Sequence, residues 1–378
     1  MNPKGEPKVL LVIAQLAVGG AETQVVQLAC RLLQTEFRPE VAVFYRGGSL
    51  EPRLRAFGVP VHHVRRTSKL GVEAILHLSR ILRDGQHDVV HSFLWPANWR
   101  ARVAGALART KVIISSPRSV ETDLRFYHVW VDRLLATRTD AILVNAGAIR
   151  EFLIARERLR PELFHVVHNG LDLERFANLP SRSEARTKLG FPQTAPLVVT
   201  VGNLQPEKNH EDFLRLAARV RAVLPEALFS IVGSGERLDT LQRQCERLGL
   251  HQVVRWEGQQ KDVLPWLAAS DVVVNTSRRE GCCNAIMEAM ATSRPVVAYA
   301  VGGNPELIAD RKTGRVVPFG DLDELVEAVL FYLRDTDLAS EHGLAGAHTA
   351  VTQYGLDRMV GRVTDLYRTL LSQDATPA

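Results

Sequence analysis

The sequence predicts an α/β chain made of two doubly wound parallel-sheet domains, and three observations carry that reading. Short apolar runs alternate with segments of helical period nearly throughout, the pattern of parallel strands covered by helices on both faces. A length of 378 residues is long for one domain and sufficient for two with full cores. A polar segment holding Pro180, Ser181, Ser183 and Pro192 divides the apolar runs into two sets and reads as a linker.

In the first set, Val9 to Ala14 reads as the opening strand, and Gly19-Gly20 as a tight turn with close backbone approach. A helix from Ala21 then places Val25, Leu28, Ala29 and Leu32 on one face. Strands are expected at Val41 to Phe44, Val59 to Val64, Asp88 to His91, Val112 to Ser115 and Ala141 to Asn145, with Phe164 to Val167 closing the set. The second set opens at Leu197 to Val201. It continues at Leu228 to Val232, Val253 to Glu257, Asp271 to Asn275, Pro295 to Ala298 and Arg315 to Val317. A last helical pattern runs from about Leu356 to Leu371. The expected divisions are a first domain over 1–178, a linker over 179–195 and a second domain over 196–354. Open α/β sheets bind ligands at the carboxyl ends of their strands. Gly19-Gly20 and Glu280-Gly281 both fall at strand ends of this kind.

Composition excludes several classes. It is ordinary for a globular chain, 46% hydrophobic and 24% charged, without a biased tract. No apolar run approaches the roughly 20 residues that span a bilayer. The apolar start after Lys8 leads into a Gly-Gly turn and an amphipathic helix, as a first strand does and a signal peptide does not. The four cysteines, Cys30, Cys245, Cys282 and Cys283, form neither a disulfide framework nor a zinc pattern, which points to the reducing cytoplasm. Residues 1–180 hold 25 Lys and Arg against 17 Asp and Glu, a net of +8, while the remainder is at −3. A basic first half suits an anionic membrane surface or an anionic acceptor, and equally a solvated Arg-rich surface. It lacks the dense cluster of a nucleic-acid tract.

The stretch from Asn275 to Pro295 carries the chemistry. An apolar strand, Asp271 to Asn275, runs through a loop into the Ala- and Met-rich segment Ala285 to Ala291, a helix with Asn284 as its expected N-cap. The free N–H groups and dipole of such a helix start favour an anion such as phosphate. Glu280 in the loop and Glu288 in the helix are placed to accept hydrogen bonds from sugar or ribose hydroxyls around that anion. After the second set's first strand, Val201 to Asn209 places Lys208 where a cation can neutralise a diphosphate. Gly233-Ser-Gly235 reads as a structural turn. His91, at the end of its strand, is more often a packed histidine than a catalyst, with acceptor contact as the sharper alternative. Arg118, after the fifth strand, is either a cation for the cleft or a surface residue. Cys282 and Cys283 have no partner base and would lend backbone amides, not thiol chemistry.

Glu280-Gly281, Asn284 and Glu288-Ala-Met resemble the Glu–seven residues–Glu signature of the retaining glycosyltransferases of family 4, which have the GT-B fold. Gly19-Gly20 resembles that family's loop beside the donor diphosphate, Lys208-Asn209 its basic loop, and Asn169-Gly170 its exit from the first domain. Trp256 to Asp262 resembles its loop near the nucleotide base. Two positions depart: Asn203 stands where Arg is usual, and Ser116-Pro117-Arg118 stands where many members carry a His.

The resemblance implies two Rossmann-like domains facing a cleft, with the helix over about 355–373 crossing back to the first. It implies a hexose-type transferase using a nucleotide diphosphate sugar and a hydroxyl acceptor; the basic first half adds the expectation of a lipid-linked saccharide acceptor, in envelope polysaccharide or glycolipid synthesis. Glu280 would face the donor sugar and Glu288 hold the ribose. Lys208, the amides of Gly281, Cys282, Cys283 and Asn284, and Gly19 and Gly20 would surround the diphosphate, with Asn203 in the same loop as Lys208. No Asp-x-Asp metal motif stands out, so neither metal nor cofactor is expected. A nucleotide-sugar epimerase on the same fold and a non-catalytic binding protein are the alternatives, separated by product: a glycoside, an epimerised donor, or neither.

Overall fold

The computed structural model describes residues 5–46, 48–65, 71–119 and 126–374. The chain forms two compact units, one from Met1–Gly170 with Leu356–Ala378 and the other from Leu171–Gly355.

The first unit is built on a seven-stranded sheet: β1 (Lys8–Ile13), β2 (Arg38–Val43), β3 (Val61–His63), β4 (Val89–Phe93), β5 (Val112–Ser116), β6 (Ala141–Val144) and β7 (Phe164–Val166). Its order is β3-β2-β1-β4-β5-β6-β7, with every pair parallel. Parallel strands buried on both faces read as continuous apolar runs, and β1 shows why. Its Val9, Leu11 and Ile13 pack with Val25 and Leu28 of helix Gly20–Leu32 and with Val363 and Tyr367 of helix Leu356–Asp374. Its Leu10 and Val12 point the other way, onto Leu78 and Ala101. The C-terminal helix therefore belongs to the core of the first unit, as expected. Leu356, Met359, Val360, Val363, Leu366 and Tyr367 supply its buried stripe.

The second unit has six parallel strands: β8 (Leu197–Val201), β9 (Leu228–Val232), β10 (Val254–Gly258), β11 (Val272–Asn275), β12 (Val296–Tyr299) and β13 (Gly314–Val317). Their order is β10-β9-β8-β11-β12-β13. The direction of winding reverses between β8 and β11, and in the first unit between β1 and β4. A crevice opens at the carboxyl ends of such a pair, because the connections diverge to opposite faces there. No helix among the described residues is long and apolar enough to cross a membrane.

Residues 179–195, expected as a linker, are part of the second unit. Ser181 and Glu184 form a capping box that starts helix Arg182–Leu189. Arg186 of that helix is fully buried and donates to the carbonyls of Ala269, Pro192, Gln193 and Ala195 and to Asp271. The proline and serine content that suggests a linker serves helix capping and a packed return instead.

Candidate functional site

The loops leaving β8 and β11 meet at the reversal point of the second unit. After β8 the chain passes Gly202 and Asn203, makes a short 3-10 turn over Pro206–Lys208, and enters helix His210–Val223 through Asn209, whose φ is 50°. After β11 it runs through residues 276–283 into helix Asn284–Ala291. Three bonds fasten the loops together. The Arg278 N–H donates to the Glu207 carbonyl at 2.7 Å, and Thr276 Oγ1 donates to the Lys208 carbonyl at 3.1 Å. The Arg278 guanidinium reaches Asn209 Oδ1 at 2.9 Å.

This fastening brings Lys208 Nζ to 2.6 Å from Glu280 Oε1. Ser277 Oγ donates to the same oxygen at 2.6 Å and Asn275 Nδ2 at 3.3 Å. Among the described residues all three bonds fall on Oε1, so Oε2 keeps its accepting capacity for a ligand. Burial alone pushes the Glu280 carboxyl up, but the Lys208 ammonium and these donors outweigh it and hold the group below the usual range. Burial likewise disfavours the charged lysine, and Glu280 more than offsets it, so the Lys208 pKa is raised. At neutral pH the pair is a fixed cation and anion side by side, in the loops that precede helices His210–Val223 and Asn284–Ala291.

Glycines let the backbone close around this pair. At Gly302, with φ of 50°, a Cβ would sit 1.8 Å from the Glu280 carbonyl oxygen, and the Gly303 N–H donates to the Gly281 carbonyl at 3.2 Å. The β12 exit thus braces the Glu280-Gly281 loop from behind. At Gly233 a Cβ would sit 2.0 Å from the Gly202 carbonyl, so the Gly233-Ser-Gly235 turn works as structure, as read from the sequence.

Helix Asn284–Ala291 begins one residue earlier than expected. Cys283 is its cap in extended conformation with no side-chain capping bond, and Asn284 is its first residue, so the expected Asn284 cap is corrected. Its leading amides retain their pull on an anion. Cys282 and Cys283 are buried, and burial together with the Glu280 charge pushes the Cys283 thiol up, away from nucleophilic use. Glu288 lies on the same helix. Arg175 donates to its Oε1 at 3.2 Å and to Asp262 Oδ1 at 3.0 Å. Burial raises the Glu288 pKa and Arg175 opposes the rise. The loop after β10, which carries Asp262, is thereby tied to Glu288.

In the first unit, Gly19 is the N-cap of helix Gly20–Leu32 at the carboxyl end of β1, and the Glu22 carboxylate folds back to where a Gly19 Cβ would be. His91, read from the sequence as either a packed residue or an acceptor contact, is packed. It has no exposed surface, its Nδ1 lies 2.6 Å from the Tyr367 hydroxyl and its Nε2 lies 2.7 Å from Ser116 Oγ. With both ring nitrogens engaged and burial depressing its pKa, it is a neutral core residue locking the C-terminal helix to β4 and β5. Arg118 is half-buried, with its guanidinium 4.9 Å from the Phe93 ring centroid and 3.3 Å from Asn169 Oδ1.

Sequence reasoning places Lys208, Glu280 and Glu288 but misses Arg175, Ser277, Arg278 and Gly302. The Gly302-Gly303 pair after a strand was a visible signal. Arg175 had none, being separated from Glu288 by 113 residues.

Comparison with known proteins gives a consistent picture. The profile described as "Glycosyl transferases group 1" matches residues 181–348, and that described as "Glycosyltransferase Family 4" matches residues 18–175. The D-inositol 3-phosphate glycosyltransferase of Streptomyces coelicolor is 27% identical over 92% of this chain and 86% of its own length. The UDP-Gal:alpha-D-GlcNAc-diphosphoundecaprenol alpha-1,3-galactosyltransferase of Escherichia coli is 24% identical over 84% of each chain. Among solved structures, Anabaena Alr3699/HepE in complex with UDP-glucose superposes with a TM-score of 0.86 at 22% identity, over 96% of this chain and 99% of that one.

Proposed function

The chain is a glycosyltransferase of the group 1, family 4 type, and from that premise we propose that it moves a sugar from a nucleoside diphosphate sugar to a hydroxyl acceptor with retention of configuration. The observation that carries the proposal is the Lys208–Glu280 pair at the start of helix Asn284–Ala291. The bond from the anomeric carbon to the diphosphate oxygen breaks, and the acceptor oxygen bonds to that carbon on the same face. The acceptor's proton passes to the departing diphosphate. Lys208 and the leading amides from Gly281 to Asn284 stabilise the charge that collects on the diphosphate. Glu280 orients the sugar through Oε2, and Glu288 accepts from the ribose hydroxyls. Asn203 lacks the charge that Arg brings in relatives, and Arg278, fastened to the same loop, supplies a guanidinium near it. Lys208 performs the role a metal would otherwise fill, so transfer persists in a chelator.

UDP is the first donor to test, because the Escherichia coli relative is named for UDP-galactose and the Anabaena structure holds UDP-glucose. A diphosphate-linked polyprenol saccharide is the first acceptor class to test, because the Escherichia coli relative is named for such an acceptor; envelope glycan synthesis on the cytoplasmic side is the setting this reading takes. The experiment is melting of the protein against UDP, GDP, ADP and their sugars, followed by product analysis. Ligand at about 100 times its dissociation constant adds roughly 2.7 kcal/mol, readily seen as a shift. A shift with one nucleotide and a glycoside product support the proposal. An epimerised donor without a glycoside, or no shift with any nucleotide, refutes it.

A further inference from the structure

Helix Phe126–Ala136 of the first unit turns an apolar stripe outward. Tyr127, Trp130 and Leu134 are 45%, 65% and 72% exposed. Spacings of three and four residues put them on one face of the helix. The opposite face is held inside: Asp132 accepts from the Arg102 guanidinium at 2.6 Å and from Trp95 Nε1 at 3.2 Å, and Ala136 is buried. The stripe is therefore a property of a docked helix, since the inward contacts fix which residues face out. Large exposed apolar groups in a row mark a surface that something covers.

We propose that this stripe docks the protein on an anionic lipid surface. Charge complementarity selects that occupant. The helix carries a single acidic residue, Asp132, and it faces inward against Arg102. Arg138 is exposed one turn beyond Leu134, while Arg133, 5.8 Å from the Trp130 ring centroid, donates to the Glu157 carbonyl at 2.7 Å and adds its charge from beside the stripe. The first unit holds 27 Lys and Arg against 18 Asp and Glu. Trp and Tyr settle at the boundary between headgroup and acyl chain, while an exposed arginine beside them meets a lipid phosphate. The stripe is short and the helix is not long enough to span, so attachment is peripheral and salt-sensitive. This surface adds a location to the transfer reaction and does not depend on it, because lipid binding involves no sugar.

The test is sedimentation of the full chain with vesicles of phosphatidylcholine alone or mixed equally with phosphatidylglycerol. The expected result is binding to the mixed vesicles at least about tenfold stronger than to the neutral ones, weakening as salt rises. The double substitution Trp130→Ser with Leu134→Ser lowers that binding by about tenfold or more, and Arg138→Glu lowers it severalfold. Circular dichroism and the UDP melting shift stay at parental values in both variants. Absence of binding by the parent, or equal binding by parent and double variant, overturns the proposal. So does a parent that is dimeric by light scattering while the double variant is monomeric, for a second copy then covers the stripe. Vesicle binding without a nucleotide shift would refute the transfer reading and leave this surface intact.

Discussion

Lys208 and Glu280, 72 residues apart in sequence, lie 2.6 Å apart at the point where the second sheet reverses its winding. Each supplies the charge that makes burial of the other tolerable, and Glu280 lies in the loop that leads into helix Asn284–Ala291. Replacing Lys208 with Ala leaves the Glu280 carboxylate in a buried site without its cation. Donor turnover is expected to fall by about 10² to 10³, the scale for losing one preorganised charge donor. Stability is expected to fall by about 1–3 kcal/mol, below the full cost of breaking a buried pair because Lys208 is 27% exposed. Nucleoside diphosphate release and melting measure the two effects, and parental turnover in this variant would dismiss Lys208 from the chemistry.

Arg175 sets the ionisation of Glu288. In Arg175→Ala, burial acts on Glu288 unopposed, so its already raised pKa climbs further. With Glu288 proposed to hold the ribose as a carboxylate, the acid limb of donor binding is expected to move to higher pH than in the parent. Glu288→Gln keeps an acceptor but loses the charge, raising the donor KM about 10- to 100-fold. A pH profile of donor binding that does not move in Arg175→Ala would separate Arg175 from this role.

His210 gives the fold an acid-sensitive point beside the site. Its Nε2 lies 3.2 Å from the Asn203 carbonyl, and burial lowers its pKa from 6.5 to about 4. The folded state therefore binds this proton less readily than the unfolded chain. The contribution is full above 6.5 and is lost as pH falls from there towards 4, amounting to about 3 kcal/mol. His210→Gln, which retains a donor for Asn203, flattens that part of the stability curve in urea titrations. An unchanged slope would assign the acid sensitivity to another group.

Gly302→Ala drives a methyl into the Glu280 carbonyl, 1.8 Å away, at a position where φ is already 50°. Gly320 also has positive φ, at 85°, with nothing within 4 Å. Gly320→Ala is expected to cost about 1 kcal/mol through backbone strain alone. Gly302→Ala should cost clearly more and abolish donor binding, because Glu280 must shift. Calorimetry and nucleotide binding compare the two, and equal effects would remove the bracing role given to Gly302.

Tyr367→Phe strips the hydroxyl that meets His91 Nδ1 and leaves that nitrogen buried. The expected loss is about 1–3 kcal/mol of stability, with donor and acceptor KM unchanged. A raised acceptor KM would return His91 to the acceptor side.

The sequence by itself determined the elements and the residue types gathered at the candidate site. Strands such as Leu197–Val201 and Leu228–Val232 coincide with their expected positions, because a strand buried on both faces must be apolar throughout. Glu280, Glu288 and Lys208 were legible because each sits at a fixed offset from a strand end or helix start. Tertiary structure alone decided who meets whom. It paired Glu288 with Arg175 across 113 residues and His91 with Tyr367 across 276, converting an acceptor candidate into a core lock. It also drew the expected linker into the second unit through the buried Arg186. Periodicity and spacing act over one or two turns of chain, whereas the electrostatic environment of a buried group depends on partners brought together by the packing of distant segments.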